Sequence, residues 1–297
     1  MFIRRLPKFE YHAPTSLGEA LDHLSRHGDK AKVLAGGTDL LVSMKKRQIQ
    51  PEHLINLKGI QVLKDMHYDK EGGLKIGGLV TMGELERSTI VREKFGMLWD
   101  AVNVIAAPQI RSLATIGGNL CSAVPSADTA PPLVALGASV TLAGKNGHRT
   151  VLVEDFFKGP EASALNPDEI LSHVSIPHPP ENSGGAYFKL MRRNAMDLAL
   201  VGVAAYLRLD VGKRVCIQAR IALGAVAPTP LRALRAEEVL LNKEIDEHLA
   251  MEASRVAAQE ARPISDIRAS KEYRTEMVRV LTKRAVLEAL KRVKENS

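Results

Sequence analysis

Two glycine-rich segments carry the residues of this sequence that could do chemistry. They are Leu34-Ala35-Gly36-Gly37-Thr38-Asp39-Leu40 and Thr115-Ile116-Gly117-Gly118-Asn119-Leu120, and each places a Gly-Gly pair after an apolar run and before a small polar residue. Paired glycines allow a positive φ and a close approach of the backbone to a ligand. Successive N–H groups in such turns form an anion-binding nest. The repetition therefore predicts a clamp that holds a diphosphate, with hydroxyl donors at Thr38 and Thr115.

Neither segment has the spacing of a standard phosphate loop. The first is not a Gly-x-Gly-x-x-Gly motif, and it lacks a Gly-Lys-Ser/Thr ending. Because the chain has 22 glycines, a plain turn explains either segment about as well when it is taken alone. The shared design of the two segments favours the diphosphate site.

Composition limits the class of protein. The chain has 297 residues, of which 45% are hydrophobic and 25% charged, as in ordinary globular proteins. No apolar run approaches the length of a membrane span, and the first residues lack the apolar region of a signal peptide, so we expect a cytoplasmic protein without a membrane span. Two cysteines are too few for a disulfide scaffold or a four-thiolate cluster. Any iron–sulfur centre must belong to a partner.

The charge pattern argues against nucleic-acid binding. The net charge is +7, but the aromatic content is 4% and the basic residues are spread along the chain. The densest basic stretch, 268–294, also carries Glu272, Glu276 and Glu288. This pattern is typical of a solvated helix face or of a docking face for an acidic subunit.

Two histidines stand at i,i+4 spacing, His23 and His27. They lie on the polar side of a predicted helix whose core stripe is Leu17, Ala20, Leu21 and Leu24. We expect them to face solvent near the helix C-terminus, and no metal ligands in this chain, because no third ligand is indicated nearby.

Local signals predict an α/β lobe at 1–57, an α+β lobe at 58–177, a linker at 178–185 and a C-terminal domain at 186–297. In the first lobe, a capping box at Ser16 and Glu19 opens a helix that Gly28 ends. Strands at 32–35 and 54–57 flank the first glycine segment and a helix beginning at Leu40. The second lobe is predicted to contain a strand at 74–77, a capping box at Thr81, a helix at 95–106, a helix opened by Asp128, and a strand at 139–142.

The proline- and glycine-rich stretch 177–185 predicts the domain boundary. Beyond it, strands at 186–191, 198–208 and 215–223 predict a three-stranded antiparallel sheet. A helix capped by Thr229 with Pro230 at its first position follows, and further helices are predicted at 239–258 and 275–293. Strands followed by helices are typical of an α+β domain.

At this point the motifs resemble a known family. Ala35-Gly36-Gly37-Thr38-Asp39-Leu40, Thr115 to Cys121, Asp128 with Ala130-Pro131-Pro132-Leu133, Glu169-Ile170-Leu171 and Phe188-Lys189 are similar to the FAD-binding medium subunit of molybdenum hydroxylases, the xanthine dehydrogenase and carbon monoxide dehydrogenase group. The resemblance covers nearly the whole chain. It implies a two-lobed FAD-binding domain of the vanillyl alcohol oxidase (PCMH) type. It also implies a C-terminal α+β domain like that of carbon monoxide dehydrogenase flavoproteins.

The resemblance also implies where FAD binds. Residues 33–40 would wrap the diphosphate and ribityl chain, with 115–119 on the other side. Asp128 would hold the ribose or adenine end, Leu171 would pack on the adenine or nearby backbone, and Lys189 would lie near the polar edge of the flavin. The implied cofactor-binding residues are Val33, Leu34, Ala35, Gly36, Gly37, Thr38, Asp39, Leu40, Thr115, Ile116, Gly117, Gly118, Asn119, Asp128, Leu171 and Lys189.

Several of these residues have a purely structural alternative. Asp128 and Asp39 could each cap the helix that follows. Lys189 could be a strand-edge lysine that discourages aggregation. Leu171 is as well explained as plain core.

The implied function is electron transfer. Because neither glycine segment contains a histidine, we expect noncovalent FAD. No side chain need be catalytic, since the flavin carries the chemistry. The resemblance implies a small [2Fe-2S] subunit and a large molybdopterin subunit as partners, in an assembly that could double to a dimer of heterotrimers, with NAD+ or another acceptor receiving the electrons. The alternatives are an autonomous flavoprotein oxidase or reductase of the same fold, and a nucleotide-binding scaffold without catalysis.

Overall fold

A computed structural model describes residues 5–295 of the chain. Its strands are β1 (Glu10–His12), β2 (Ala31–Leu34), β3 (His53–Asn56), β4 (Met66–Asp69), β5 (Gly73–Gly77), β6 (Ser139–Gly144), β7 (Gly147–Leu152), β8 (Phe157–Gly159), β9 (Ala162–Ser163), β10 (Ile170–Ile176), β11 (Ser183–Leu190), β12 (Val201–Leu209), β13 (Cys216–Gly224) and β14 (Leu231–Arg232).

Its helices are α1 (Leu17–His27), α2 (Leu40–Lys45), α3 (Met82–Arg87), α4 (Thr89–Lys94), α5 (Gly96–Asn103), α6 (Pro108–Arg111), α7 (Ile116–Cys121), α8 (Ala130–Ala135), α9 (Val153–Phe156), α10 (Leu234–Leu240), α11 (Glu247–Glu260) and α12 (Lys271–Glu295). Short 3-10 turns lie at Gly28–Lys30, Leu57–Gly59 and Gln61–Leu63. Within this described range, no helix combines the length and the apolar character needed to cross a bilayer.

The strands form separate sheets along the chain. A parallel sheet has the order β1-β3-β2, and an antiparallel sheet has the order β4-β5-β10-β6-β7. The C-terminal region forms an antiparallel sheet of order β11-β12-β13-β14, and β8 pairs with β9. The mixed α and β architecture with a C-terminal antiparallel sheet confirms the predicted α+β class.

Helix α1 follows from its local sequence as predicted. The Ser16 side chain accepts a hydrogen bond from the Glu19 N–H, and Gly28 ends the helix with φ of 52°. Positive φ strains a residue with a Cβ, so glycine suits this position. Ala20, Leu21 and Leu24 are buried in one cluster with Ile55 of β3. The helix therefore covers one face of the parallel sheet.

Strand β12 packs against the C-terminal helices on one face and against the preceding lobe on the other. Successive side chains of a strand point to opposite faces, and here both faces are buried. Val201, Val203, Ala205 and Leu207 belong to a cluster with α11 and α12, whereas Ala204 and Tyr206 belong to the core that contains the antiparallel five-stranded sheet. The C-terminal sheet is therefore packed between its own helices and the preceding lobe.

Three C-terminal details differ from the predictions. Thr229 and Pro230 do not begin a helix, because the chain continues into β14, where Leu231 and Arg232 pair with β13. The C-terminal sheet therefore has a fourth strand that the prediction of three strands lacked. The predicted helix 239–258 is interrupted after α10. Helix α11 begins anew where the Asp246 side chain accepts a hydrogen bond from the Leu249 N–H at 2.7 Å. Strand β11 begins at Ser183, so residues 183–185 of the predicted linker are strand.

Candidate functional site

The first glycine segment connects β2 to α2 in a tight turn. Gly37 has φ of +83°, a conformation that favours glycine. The Gly37 carbonyl accepts a hydrogen bond from the Leu41 N–H at 3.1 Å, so helical turns begin within the segment. The N–H groups at the start of a helix have no carbonyl partner within that helix. The turn and the short helix therefore present backbone donors at the end of β2.

Asp39 follows the glycine pair and Thr38, and its carboxyl lies beside Ser122, at the end of α7. Desolvation raises the pKa of its carboxyl, and the Ser122 hydroxyl beside it lowers that pKa in part. Within the described chain, the Asp39 side chain makes no capping bond to α2. The capping alternative for this residue is therefore wrong in this structure.

The second glycine segment is the beginning of a helix, and this corrects the predicted nest. The Thr115 hydroxyl caps α7 by accepting a hydrogen bond from the Gly118 N–H at 3.1 Å. The Ile116 N–H donates to the Val80 carbonyl and the Gly117 N–H to the Gly78 carbonyl, both at 3.0 Å. These three N–H groups are engaged within the protein, because the segment pairs with the chain at 78–81 before the helix starts.

Glycine is required in this segment for close packing. A Cβ on Gly117 would lie 2.6 Å from the Gly78 carbonyl oxygen, and a Cβ on Gly78 would lie 2.4 Å from the Leu171 carbonyl oxygen. Leu171 is 5% exposed. The structure thus places Leu171 one layer from the second segment, with Gly78 between them. Gly78 was not among the predicted site residues.

The two glycine segments meet in space. A Cβ on Gly36 would lie 2.1 Å from the Leu113 carbonyl oxygen and 3.1 Å from the Ala114 Cα. The backbone at Gly36 therefore lies directly against the chain that leads into Thr115. Residues separated by about eighty positions in the sequence are therefore in direct backbone contact at Gly36.

Asn119 of the second segment contacts the residue after Asp128. The Thr129 hydroxyl donates a hydrogen bond to the Asn119 Oδ1 at 2.5 Å. Thr129 also occupies the N-cap position of α8, so the prediction that Asp128 opens this helix is wrong by one residue. The Asp128 carboxylate is therefore not the N-cap of α8, and it contacts residues of β11.

That carboxylate forms a buried ion pair with Lys189 of β11. The Lys189 Nζ lies 2.8 Å from the Asp128 Oδ2, and the side chains are 1% and 9% exposed. The Tyr187 hydroxyl donates to the Asp128 Oδ1 at 2.9 Å, and the Lys189 ammonium also donates to the Val104 carbonyl at 3.1 Å. Lys189 is therefore a buried cross-link between two domains, and the strand-edge alternative is wrong.

Burial and charge act against each other in this group. Burial raises the pKa of Asp128, and the Lys189 ammonium and the donated hydrogen bonds oppose that shift. Burial together with the Asp128 carboxylate raises the pKa of the Tyr187 phenol well above its ordinary value. Tyr187 is thus a neutral donor that helps to orient the carboxylate. It was missed in the sequence, although it shares a strand face with Lys189 at i,i+2 spacing.

Asp128 and Lys189 act as a pair in this structure. The resemblance implies contacts of Asp128 with the ribose or adenine end and of Lys189 with the polar edge of the flavin, and the structure joins their charged atoms at 2.8 Å. Because its two opposite charges lie close together, the ion pair carries little net charge.

A cleft of about 510 Å³ also lies beside α5 and the stretch 177–185, and none of the predicted site residues lines it.

Family comparisons cover both parts of the chain. Residues 7–179 match the family described as FAD binding domain in molybdopterin dehydrogenase. Residues 186–289 match the CO dehydrogenase flavoprotein C-terminal domain. Together these matches extend over most of the sequence.

Individual relatives match along nearly their full length. The chain is 34% identical to a putative xanthine dehydrogenase FAD-binding subunit of Escherichia coli, over 94% of this chain and 95% of that protein. It is 37% identical to the carbon monoxide dehydrogenase medium chain of Afipia carboxidovorans, over 96% and 98%. A solved structure of carbon monoxide dehydrogenase from Hydrogenophaga pseudoflava superposes with a TM-score of 0.92 at 37% identity, covering 97% of this chain and 99% of that one.

Proposed function

Because the chain belongs to the FAD-binding medium subunits of molybdenum hydroxylases, we propose that it is the electron-exit module of such an oxidoreductase. It would bind one FAD without a covalent link. A small [2Fe-2S] subunit would deliver electrons that a large molybdopterin subunit takes from the substrate. NAD+ or another acceptor would then receive them.

The observation that best supports this proposal is the contact of the two glycine segments at Gly36. A Cβ there would lie 2.1 Å from a backbone carbonyl oxygen, so only glycine lets the two backbones approach. A dinucleotide needs such a surface, since its diphosphate is held by backbone groups at close range. The residues present therefore fit FAD.

The protein's part is to bind and orient the cofactor. We assign the diphosphate and ribityl chain to the segment 33–40, where the turn and the start of α2 offer N–H donors. The second segment, 115–119, contributes the opposite wall through its packing on Gly78 and through the Asn119 side chain. Leu171 packs behind that wall, on the other side of Gly78.

The Asp128–Lys189 pair takes a role different from that of a lone lysine. A lone ammonium beside the flavin would favour a negatively charged cofactor. The carboxylate at 2.8 Å cancels most of that charge, so we assign the pair a role in orientation. Bound FAD supplies the redox chemistry that links one-electron iron–sulfur carriers to a terminal acceptor.

The test uses a glycine substitution with a matched control. Gly36→Val should abolish FAD retention, because its side chain must displace the chain at 113–114. Gly18→Val is the control, since a Cβ at Gly18 has open space around it. FAD per chain is measured by flavin absorbance after gel filtration of the assembled complex.

A milder variant separates cofactor binding from folding. Thr38→Val keeps the shape of the side chain and removes one hydroxyl, which should weaken FAD binding by about tenfold if that hydroxyl contacts the cofactor. Full FAD retention by Gly36→Val, with the wild-type thermal midpoint, would contradict the assignment of this surface. The acceptor is tested by NADH-dependent bleaching of the flavin under anaerobic conditions, and no bleaching would argue against NAD+.

A further inference from the structure

Histidines from separate elements meet between α1 and the parallel sheet. His12 ends β1, His53 begins β3, and His23 and His27 lie on α1. One nitrogen from each of His12, His27 and His53 lies within 4.8 Å of the others. The expectation that no third ligand lies near His23 and His27 is therefore wrong, because His12 and His53 come from distant positions in the sequence.

The topology explains this convergence. Strands β1 and β3 are parallel neighbours in a register that places Glu10 opposite His53. His12 is two residues after Glu10 and therefore points to the same face of the sheet. On α1, His23 and His27 share a face because they are four residues apart. Packing of α1 on this face of the sheet brings the four imidazoles together.

One nitrogen–nitrogen distance in the cluster suits a shared ion. The His12 Nε2 lies 3.2 Å from the His53 Nδ1. Two nitrogens bound at 2.0–2.1 Å to one tetrahedral ion are about 3.3 Å apart. The His27 and His53 ring centroids are 3.6 Å apart, and those of His12 and His23 are 4.3 Å apart.

Ordinary hydrogen bonding accounts for only part of the cluster. A single hydrogen bond between His12 and His53 satisfies one nitrogen on each ring. A nitrogen of His27 also lies within 4.8 Å of nitrogens of both rings, and that bond does not account for it. The buried His23 Nδ1 has no hydrogen-bond partner among residues 5–295. Buried polar groups normally have partners, and the His23 ring lies beside that of His12, with centroids 4.3 Å apart, so an unsatisfied nitrogen adjoins the cluster.

The charge near the cluster also suits a cation. The Glu10 Oε2 lies 3.4 Å from the His53 Nδ1 and supplies a carboxylate at the rim. Arg26, the neighbour of His27, is the opposing charge on α1. An ion held by neutral imidazoles would have one carboxylate close by as its counter-charge.

We propose that His12, His27 and His53 form a binding site for a divalent first-row transition-metal ion, with Zn²⁺ as its representative. Imidazole nitrogen is a good ligand for zinc, copper and nickel, whereas Mg²⁺ and Ca²⁺ prefer oxygen. The ion would tie α1 to both β1 and β3.

The site is separate from the glycine segments. His53 pairs with Ala31, at the start of β2, whereas Gly36 and Gly37 follow the end of that strand. Loss of the metal ligands and loss of FAD can therefore be measured independently. The expected role of the ion is to stabilise the first lobe on which the glycine turn is built.

The experiment is a Zn²⁺ titration of the full chain, purified with a histidine-free tag and stripped with a chelator. Calorimetry should give one Zn²⁺ per chain, and Mg²⁺ at the same concentration should give no heat of binding. His12→Asn and His27→Asn should each weaken Zn²⁺ binding by about tenfold or more. His67→Asn is the matched control, because that side chain is 75% exposed and lies outside the cluster.

Thermal denaturation supplies a second readout. A ligand that binds only the folded chain raises its midpoint, so Zn²⁺ should raise the midpoint of the unchanged chain and of His67→Asn. The same Zn²⁺ concentration should raise the midpoint of His12→Asn and of His27→Asn by less, because their binding is weaker. Absence of Zn²⁺ binding by the unchanged chain overturns the proposal, as does equal affinity in His12→Asn. If His12→Asn fails to fold, His27→Asn, at the end of its helix, decides the matter.

Discussion

The buried pair of Asp128 and Lys189 offers a quantitative test of how the C-terminal domain is held. Lys189→Met keeps much of the side-chain volume but removes the ammonium 2.8 Å from the Asp128 carboxylate. Removing one partner of a buried pair costs about 3–5 kcal/mol, because the other charge is left unpaired. The Tyr187 hydrogen bond remains and does not neutralise the charge.

The expected thermal shift follows from the size of the chain. Unfolding entropy near the midpoint is about 2.1 cal/mol/K per residue, which gives about 0.6 kcal/mol/K for 297 residues. A loss of about 3–5 kcal/mol then lowers Tm by about 5–8 °C. We would measure Tm by circular dichroism on the flavin-free chain, so that cofactor binding does not contribute.

A matched lysine provides the control. Lys283 pairs with Glu247 at 2.6 Å, but the Glu247 side chain is 75% exposed. Exposed pairs contribute about 0–1 kcal/mol, so Lys283→Met should lower Tm by less than about 2 °C. If Lys189→Met lowers Tm no more than Lys283→Met does, the reasoning from burial is refuted.

The pH dependence gives a further check on the cause. Burial raises the pKa of Asp128, and loss of Lys189 should raise it more. An acid with a raised folded pKa gains stability as pH falls, since the folded state then binds the proton more tightly than the unfolded state. The Tm deficit of Lys189→Met should therefore shrink between about pH 7 and about pH 5, where a buried unpaired Asp takes up its proton. Adding Asp128→Asn to Lys189→Met should recover part of the loss at about pH 7.

Three other expectations concern buried groups elsewhere. Burial raises the pKa of the Cys121 thiol to about 12 and that of Cys216 to about 11, so iodoacetamide should label neither in the native chain and both in urea; rapid native labelling would contradict this. Burial lowers the pKa of His173 to about 4, so stability should fall as pH drops from about 6.5 toward that value, and the urea midpoint of His173→Asn should fall less. Glu237 is buried and accepts the Ile221 N–H at 2.9 Å while pairing with Arg232; Glu237→Gln weakens that pair but leaves Arg232 paired with Glu154, so it should cost about 1–3 kcal/mol, and a midpoint unchanged from wild type would count against that.

Local structure was predictable where the residues that determine it lie within a few positions of one another. Ser16 and Thr81 begin helices because their hydroxyls accept hydrogen bonds from N–H groups three residues later. The strand predicted at 198–208 is β12, which begins three residues later, at Val201, and ends at Leu209. The prediction at Thr229 and Pro230 failed because cap residues also suit turns, and pairing with β13 outweighed the helix signal.

The candidate site was predictable as a set of segments but not as an arrangement. The repeated Gly-Gly pairs pointed to two pieces of backbone that approach a neighbour closely, and Gly36 and Gly117 do so. Which neighbour they approach was not encoded nearby. At Gly117 it is another part of the same protein, so the N–H groups that suggested a nest are already bonded.

By itself, the sequence determined the turns, caps and strand periodicities, and its motifs carried the family resemblance, because these depend on residues a few positions apart. Tertiary structure alone decided which distant groups meet. Asp128 joins Lys189 across 61 positions, and His12 meets His27 and His53 through the order of a parallel sheet. Such contacts depend on how sheets and helices pack, and the energy of packing is shared by the whole core rather than carried by any local pattern.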